Sequence, residues 1–275
     1  MNALTSHPES HGPAHQNDDI WLDGHPYPDI RRVTVDQSSL WLAAGWRDFK
    51  ASPLVSLLYG LMFVVGGYAL VFGLKQMGME SLILPLIGGF MLVAPVLAVG
   101  LYEASRRRET GEPVRLGMCI SAFRRNPVQL ASFGLVLLIM YLTWLMLALL
   151  IFAVFYNERP PAMDSFIINV LLAPQAPLFL VVGTAVGGVL AWLAFSLSVV
   201  ALPMMLDRDV SAIYAMAASI EATRKNGRVM IGWAAMIALI TFVGMATFFI
   251  GLALALPLVG HASWHAYRAM IGTRP

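Results

Sequence analysis

The sequence predicts an all-α protein: a polytopic membrane helix bundle of six transmembrane helices in three like-oriented hairpins, with short cytoplasmic amphipathic segments. Three observations predict it. Of 275 residues, 58% are hydrophobic and 12% charged, against about 25% charged in an ordinary soluble domain. A basic or capped collar stands directly in front of a long apolar run three times, before Leu54, before Leu130 and before Val229. The collars and the hairpin ends also resemble one another along the chain, so one unit is expected to recur.

Taken in order, residues 1–28 are polar, with Asn, Asp, His, Pro, Ser and Gly prominent. They cannot bury enough surface to offset chain entropy and read as a disordered cytoplasmic tail. His7, His11 and His15 are four apart, but Pro8 and Pro13 argue against the helix that would align them. Residues 29–53 form a cytoplasmic or interfacial segment. Asp36-Gln37-Ser38-Ser39 can cap a helix that continues from Leu40 to Lys50. Its Trp, Phe and Leu mixed with Arg and Lys suit a helix lying in the headgroup layer. They equally suit one packed on the protein's own cytoplasmic face.

Residues 54–275 are expected to form the six-span domain, with hairpins at about 54–103, 130–205 and 229–268. The spans are Leu54–Leu74, Ser81 to about Glu103, Leu130–Tyr156 and Pro177–Met205, followed by two short ones. The first two come close to the roughly 20 residues a bilayer needs. Lys75 to Glu80 is a tight outer turn, and Asn157 to Ala176 an outer loop with Pro160, Pro161, Asp164 and Pro174. Val229–Val259 is long for one span and short for two. A turn near Phe249-Ile250-Gly251 would divide it, and a helix end at Trp264-His265-Ala266-Tyr267-Arg268 would return the chain to the cytoplasm.

Of the 18 Lys and Arg, Lys75 and Arg159 alone fall in segments assigned outside. Lys and Arg in short loops set orientation, which places both termini in the cytoplasm. Cys119, the single cysteine, excludes an internal disulfide and falls in a segment where a thiol stays reduced. No cleavable signal peptide precedes the first apolar run.

Residues 106–126 align with 206–226: Arg108 on Arg208, Ile120 on Ile220, Ala122 on Ala222, Arg124 on Arg224, Arg125 on Lys225 and Asn126 on Asn226. Phe49-Lys50-Ala51-Ser52-Pro53 matches Phe123-Arg124-Arg125-Asn126-Pro127, and Pro95–Arg106 echoes Pro257–Arg268. Like-oriented repeats imply a pseudo-symmetry axis along the membrane normal. Gly60, Gly66, Gly67, Gly73, Gly88, Gly89, Gly183, Gly187 and Gly188 let helices approach closely. Pro95, Pro203 and Pro257, late in spans 2, 4 and 6, can each kink a helix.

The sharpest constellation for chemistry is Gly260 to Arg268. His261 and His265 are i, i+4 and share one helical face, and Glu103 aligns with His265 in the repeat. A metal, or haem, held by this pair with Glu103 is one reading; a half-wet interfacial helix end is the other. Arg106, Arg107, Arg108, Arg124, Arg125, Arg224, Lys225 and Arg228 can bind acidic lipid headgroups or serve topology alone. Ionisable residues inside spans would signal coupled transport, and the span interiors hold essentially none. There is no phosphate-binding loop, nucleophile elbow or His-Glu-x-x-His motif.

Trp41-Leu42-Ala43-Ala44-Gly45-Trp46-Arg47-Asp48-Phe49, Ser56-Leu57-Leu58-Tyr59-Gly60-Leu61 and Gly260-His261-Ala262-Ser263-Trp264-His265-Ala266-Tyr267-Arg268 resemble the DUF2189 family of bacterial integral membrane proteins. The resemblance implies an inner-membrane location and brings neither an activity nor site residues. Some members are labelled cytochrome c oxidase subunits, but the several intramembrane histidines of a catalytic oxidase subunit are absent here. The expected function is therefore non-catalytic: a structural, accessory or assembly protein packing against other membrane proteins, respiratory complexes among them. The alternatives are a small-solute channel or carrier, and a metal- or haem-binding protein using His261 and His265. Outside that pair no cofactor is expected. The expected partners are the bilayer and membrane proteins, not nucleic acid.

Overall fold

The computed structural model describes residues 29–157 and 166–271. They are helical, with no strand among them. The polar tail expected over 1–28, its three histidines included, lies outside the described residues, as do residues 158–165 of the proline-rich outer loop. In chain order the helices are α1 (Gln37–Ala51), α2 (Pro53–Gln76), α3 (Ile83–Leu97), α4 (Val99–Glu109), α5 (Leu116–Ser121), α6 (Pro127–Tyr156), α7 (Phe166–Leu171), α8 (Ala176–Ser198), α9 (Ala201–Asp207), α10 (Ala212–Lys225), α11 (Gly227–Ala246) and α12 (Leu252–Ile271).

Among the described residues, five helical segments are long and apolar enough to cross a membrane: Pro53–Gln76, Glu80–Glu109, Pro127–Tyr156, Ala176–Asp207 and Gly227–Ala246. They coincide with the first five expected spans. The apolar stretch from Val229 is interrupted where the sequence places its turn, with α11 ending at Ala246 and α12 starting at Leu252. Phe248 and Phe249 both hold left-handed backbone there, at φ 54° and 65°. Thr247 fixes the reversal: its hydroxyl donates to the Gly244 carbonyl (2.9 Å) and accepts from the Gly251 amide (2.9 Å). α12 is not among the membrane-length apolar helices, because polar residues occupy its second half.

Local chemistry explains the element ends. Pro53 and Pro127 open α2 and α6, where a missing N–H costs nothing. The residues ahead of them, Ser52 (φ −134°, ψ 56°) and Asn126 (φ −140°, ψ 66°), share one conformation, and Asn226 before α11 lies near it (φ −116°, ψ 26°). Gly78 (φ 66°) and Gly111 (φ 74°) turn the chain after α2 and α4. The three late prolines differ in effect. Pro203 deprives the Val199 carbonyl of its partner, and the helix breaks between α8 and α9 at that point. Pro95 lies inside α3, with the break three residues beyond it at Ala98, and Pro257 sits inside an unbroken α12. Asp36 precedes α1 but gives no side-chain cap; it is Ser39 that hydrogen-bonds back, to the Asp36 carbonyl (2.6 Å).

The core sits at one end of the bundle, the end that carries the arginines. There α4, α9 and the second half of α12 pack on one another. Val99 to Ser105, Ala201 to Leu206 and Gly260 to Trp264 are buried without interruption. Shorter helices wrap this centre: α1 packs on α12, α5 on α4 and α10 on α9. Of the two placements open for α1, packing on the protein itself is the one found, with Trp41 and Phe49 buried and Trp41 edge-on to Trp233 (5.5 Å between centroids). Trp46 stays half-exposed, stacked on Phe49. Cys119 of α5 is fully buried in this region.

The glycines divide in a way composition does not foretell. Gly60, Gly67, Gly88, Gly89 and Gly187 meet neighbours, Gly88, Gly89 and Gly187 against Trp144 of α6. Gly66, Gly73, Gly183 and Gly188 face open space, so among the described residues only Gly187 of the Gly183/Gly187 pair touches another helix. A backbone-to-backbone approach also occurs elsewhere, at Gly45, where a Cβ would lie 2.6 Å from the Ala262 amide nitrogen.

Candidate functional site

Gly45 allows α1 to lie against the backbone of α12, and one turn further along α1 brings Asp48 to His265. Asp48 accepts from Ser105 Oγ of α4 (2.6 Å), His265 Nε2 (2.9 Å) and Arg108 Nε (3.0 Å). Burial alone would raise its carboxyl pKa. The bonds from His265 and Ser105, the charge interaction with His265 and the bond from Arg108 outweigh that and hold it at about 2.

His261 lies one turn earlier on α12, fully buried, with both ring nitrogens engaged. Nε2 meets Ser56 Oγ of α2 (3.0 Å) and Nδ1 meets Ser105 Oγ (2.8 Å). The Ser105 hydroxyl gives its one proton to ionised Asp48, so toward His261 it can only accept. Nδ1 therefore carries the hydrogen and Nε2 accepts from Ser56. A single directed chain results, from Ser56 through His261 and Ser105 to Asp48. It ties four helices together. Both nitrogens are occupied in it, so this imidazole has no free lone pair for a metal.

Glu103, aligned with His265 by the repeat, occupies a separate cluster. Fully buried, it accepts from Arg106 Nε (2.8 Å), Arg107 Nε (2.7 Å) and Arg125 (3.0 Å). Arg106 and Arg107 also reach Glu112, both at 3.1 Å. A third cluster joins α4, α9 and α12: Trp264 Nε1 donates to Glu109 (3.0 Å), Tyr267 to Asp207 (2.7 Å), and Arg268 to Glu109 (2.7 Å) and Asp207 (3.3 Å). The structure thus joins His261 and His265 through Ser105 and Asp48 rather than through Glu103. Among the described residues no group of three or more His, Cys, Asp or Glu could hold a metal ion.

The collar cations serve several ends. Arg106, Arg107, Arg108 and Arg125 are paired as above. Arg224 stands 3.6 Å from Glu221 at the surface, Lys225 donates to the Ile30 carbonyl, and Arg124 and Arg228 lie toward the surface. The collar asparagines grip backbone. Asn126 Nδ2 donates to the Val210 carbonyl (3.3 Å), just ahead of α10. Asn226 accepts from the Val33 amide (2.9 Å) and donates to the Arg31 carbonyl (3.1 Å), just ahead of α1.

Sequence reasoning passes over Asp48, Ser56 and Ser105. A signal for Asp48 exists: Trp41, Ala44, Gly45, Asp48 and Phe49 fall on one helical face and are all buried. A carboxylate on an otherwise apolar face needs partners. The two serines carry no such signal, since hydroxyls in apolar helices commonly bond their own backbone.

Beside these clusters the bundle encloses a cavity of about 310 Å³ between α3, α8, α11 and α12. It exists because one helix contact is missing. α2 packs on α12 and α6 on α3, whereas among the described residues α11 makes no comparable contact with α8. The walls are mainly aromatic and aliphatic side chains, and among the described residues no charged one lines them.

In comparison with known proteins, residues 83–207 fit the family model described as "Predicted integral membrane protein (DUF2189)". That segment runs from the start of α3 to the end of α9. No curated protein matches the chain, and no solved structure matches it.

Proposed function

We propose that this integral membrane protein is a non-catalytic accessory protein of the bacterial inner membrane, acting by helix packing with other membrane proteins. In this reading it has six spans in three like-oriented hairpins, with both termini in the cytoplasm. Three features support the threading. Lys and Arg crowd the end of the bundle that holds the core. The leading helices follow a cyclic rule: α5 packs on the end of the first hairpin, α10 on the end of the second and α1 on the end of the third. The collar asparagines repeat the rule, Asn126 holding the approach to α10 and Asn226 the approach to α1.

The observation that carries the function is how little of the middle hairpin the chain itself covers. In the apolar windows of Pro127–Tyr156 and Ala176–Asp207, 6% of residues are buried, against 28% for Gly227–Ala246. These two segments offer most of their surface outward, and Gly134 and Gly183 on them have open space where a Cβ would stand. Small residues let a partner helix pack closely. The ion-paired end also favours packing over passage of a solute, since its charged groups are engaged with one another.

A photo-crosslinking residue at Met146 or Val181, both well exposed on these helices, tests this in intact membranes. A discrete protein adduct that co-purifies in mild detergent is expected. Lipid adducts alone, with the chain repeatedly purified by itself, would sink the reading.

A further inference from the structure

The cavity between α3, α8, α11 and α12 holds polar groups that its apolar walls do not explain. Tyr102 (5% exposed), Thr241 (2%) and Ser263 (6%) line it, from α4, α11 and α12. Among the described residues none of their hydroxyls makes a hydrogen bond. Ser198, also on the wall, is different: it donates to its own helix at the Ala194 carbonyl (2.7 Å). Nor are the three hydroxyls sealed inside protein, for they are not among the fully enclosed side-chain atoms that lack a partner. All three residues line the cavity, which is the open space beside them into which their oxygens can reach. Buried hydroxyls in native proteins are normally bonded, so three without partners around one space point to something that occupies it.

The rest of the wall defines that occupant. No charged side chain lines the cavity, so a charged molecule would go unpaired there. Phe63, Trp192 and Phe195 supply ring faces, and Ala234, Ala235 and Ala238 keep the α11 wall low. The volume, about 310 Å³, falls within the range of small-molecule pockets, about 300–1,000 Å³. α8 and α11, which both line the cavity and make no comparable contact with each other among the described residues, are of membrane-spanning character, which suits a molecule that arrives from the bilayer. The donors sit on three different helices, which suits acceptors at separate points of a rigid body better than one ester at the head of a flexible chain.

From this we infer that the cavity binds a neutral, lipid-soluble ring compound carrying carbonyl acceptors, the chemistry of a membrane quinone. It enters between α8 and α11, stacks against the aromatic wall, and accepts hydrogen bonds from Tyr102, Thr241 and Ser263. The inference does not depend on a protein partner at the middle hairpin.

The test uses the purified full chain in mild detergent, titrated with decylbenzoquinone and followed by tryptophan fluorescence. Trp192 is the reporter, and Trp192→Phe identifies its share of the signal. Saturable quenching is expected. Tyr102→Phe and Ser263→Ala should each weaken binding about 3- to 10-fold, the value of one hydrogen bond, without altering thermal unfolding. Ala238→Trp, which fills the space, should abolish saturation. Decylbenzene, which lacks the carbonyls, should bind at least tenfold more weakly than the quinone by competition, roughly the loss of two such bonds. Quenching that never saturates, equal binding of decylbenzene, or Tyr102→Phe and Ser263→Ala proteins that bind as tightly as the parent would each overturn the inference.

Discussion

Gly45 shows how one missing methyl group sets the geometry of the polar cluster. Its Cα hydrogen faces the α12 backbone at Ala262, and every bond that Asp48 makes to α12 follows from that approach. Gly45→Ala would place a Cβ within 2.9 Å of three atoms of Ala262, two of them backbone. Backbone cannot step aside as a flexible side chain can, so a loss of about 1–3 kcal/mol is expected from overpacking, read as a lower unfolding temperature in detergent. Asp48→Asn should cost about 2–3 kcal/mol, because a carboxylate with charge-assisted partners becomes a neutral amide that cannot satisfy them all. The pH dependence has a definite sign. The Asp48 carboxyl lies near 3.8 when unperturbed and near 2 when folded. Its contribution is complete above about pH 4 and is lost as pH falls toward 2. Acid unfolding curves should show this loss in the parent, and the curve of the Asp48→Asn protein should be flatter over that window. At this scale the sequence was partly readable. The face shared by Trp41, Gly45 and Asp48 was visible in the spacing, and His261 and His265 stood out. What joins the two histidines was not, because Ser105 and Asp48 come from α4 and α1, whose contact with α12 is decided by tertiary packing.

The interruption between α11 and α12 is the most consequential event at the level of elements. The helix end at Trp264 to Arg268 and the repeat suggested it where length was ambiguous, and the chain turns at residues 247–251. The cost is two successive phenylalanines with left-handed backbone, a conformation about 1–2 kcal/mol per residue unfavourable for a side chain. Phe249 has compensation, edge-on to Tyr68 at 6.0 Å and against Gly67. Phe248 is largely exposed and has no comparable contact among the described residues. Phe248→Gly is therefore expected to hold or raise stability, by up to about 1 kcal/mol, whereas Phe249→Gly should lower it; parallel thermal melts in one detergent compare them. The threading proposed for α12 makes its own prediction: a reporter fused after Pro275 should be active on the cytoplasmic side, and periplasmic activity would count against the sixth span. Span starts were legible because proline and polar collars mark them chemically. The position of α1, the helix α7 inside the expected outer loop, and the different fates of Pro95, Pro203 and Pro257 were not. Each depends on which neighbour receives the helix, and apolar composition is the same toward lipid and toward protein.

Across the whole molecule, order is concentrated at one end. α3, α8, α11 and α12 meet around a largely apolar cavity, while α4, α9 and the second half of α12 form a dry centre wrapped by α1, α5 and α10. The repeat was readable in the collars, and the shared backbone of Ser52 and Asn126 bears on it directly. That the third such contact, α11 on α8, would be missing could not be read from residues that look alike in all three copies.

The docking of α1 on α12 has a consequence in time. Among the described residues no two helices run more closely together along their length than these, yet one is made early and the other late. A ribosome releasing this chain produces α1 long before the surface that receives it. Until α12 appears, Trp41, Phe49 and Asp48 lack their resting place, and α1 must wait at the membrane face as an apolar, unshielded helix. Assembly is then a clasp that shuts on the final helix rather than a row of units completed one by one. In the proposed threading, a chain ended at Gly251 should insert its earlier spans yet leave α1 open to protease added from the cytoplasmic face, with cleavage near Arg47 and Lys50. Supplying residues 252–275 as a separate segment should restore protection. Protection in the shortened chain by itself would mean that α1 finds its place without α12.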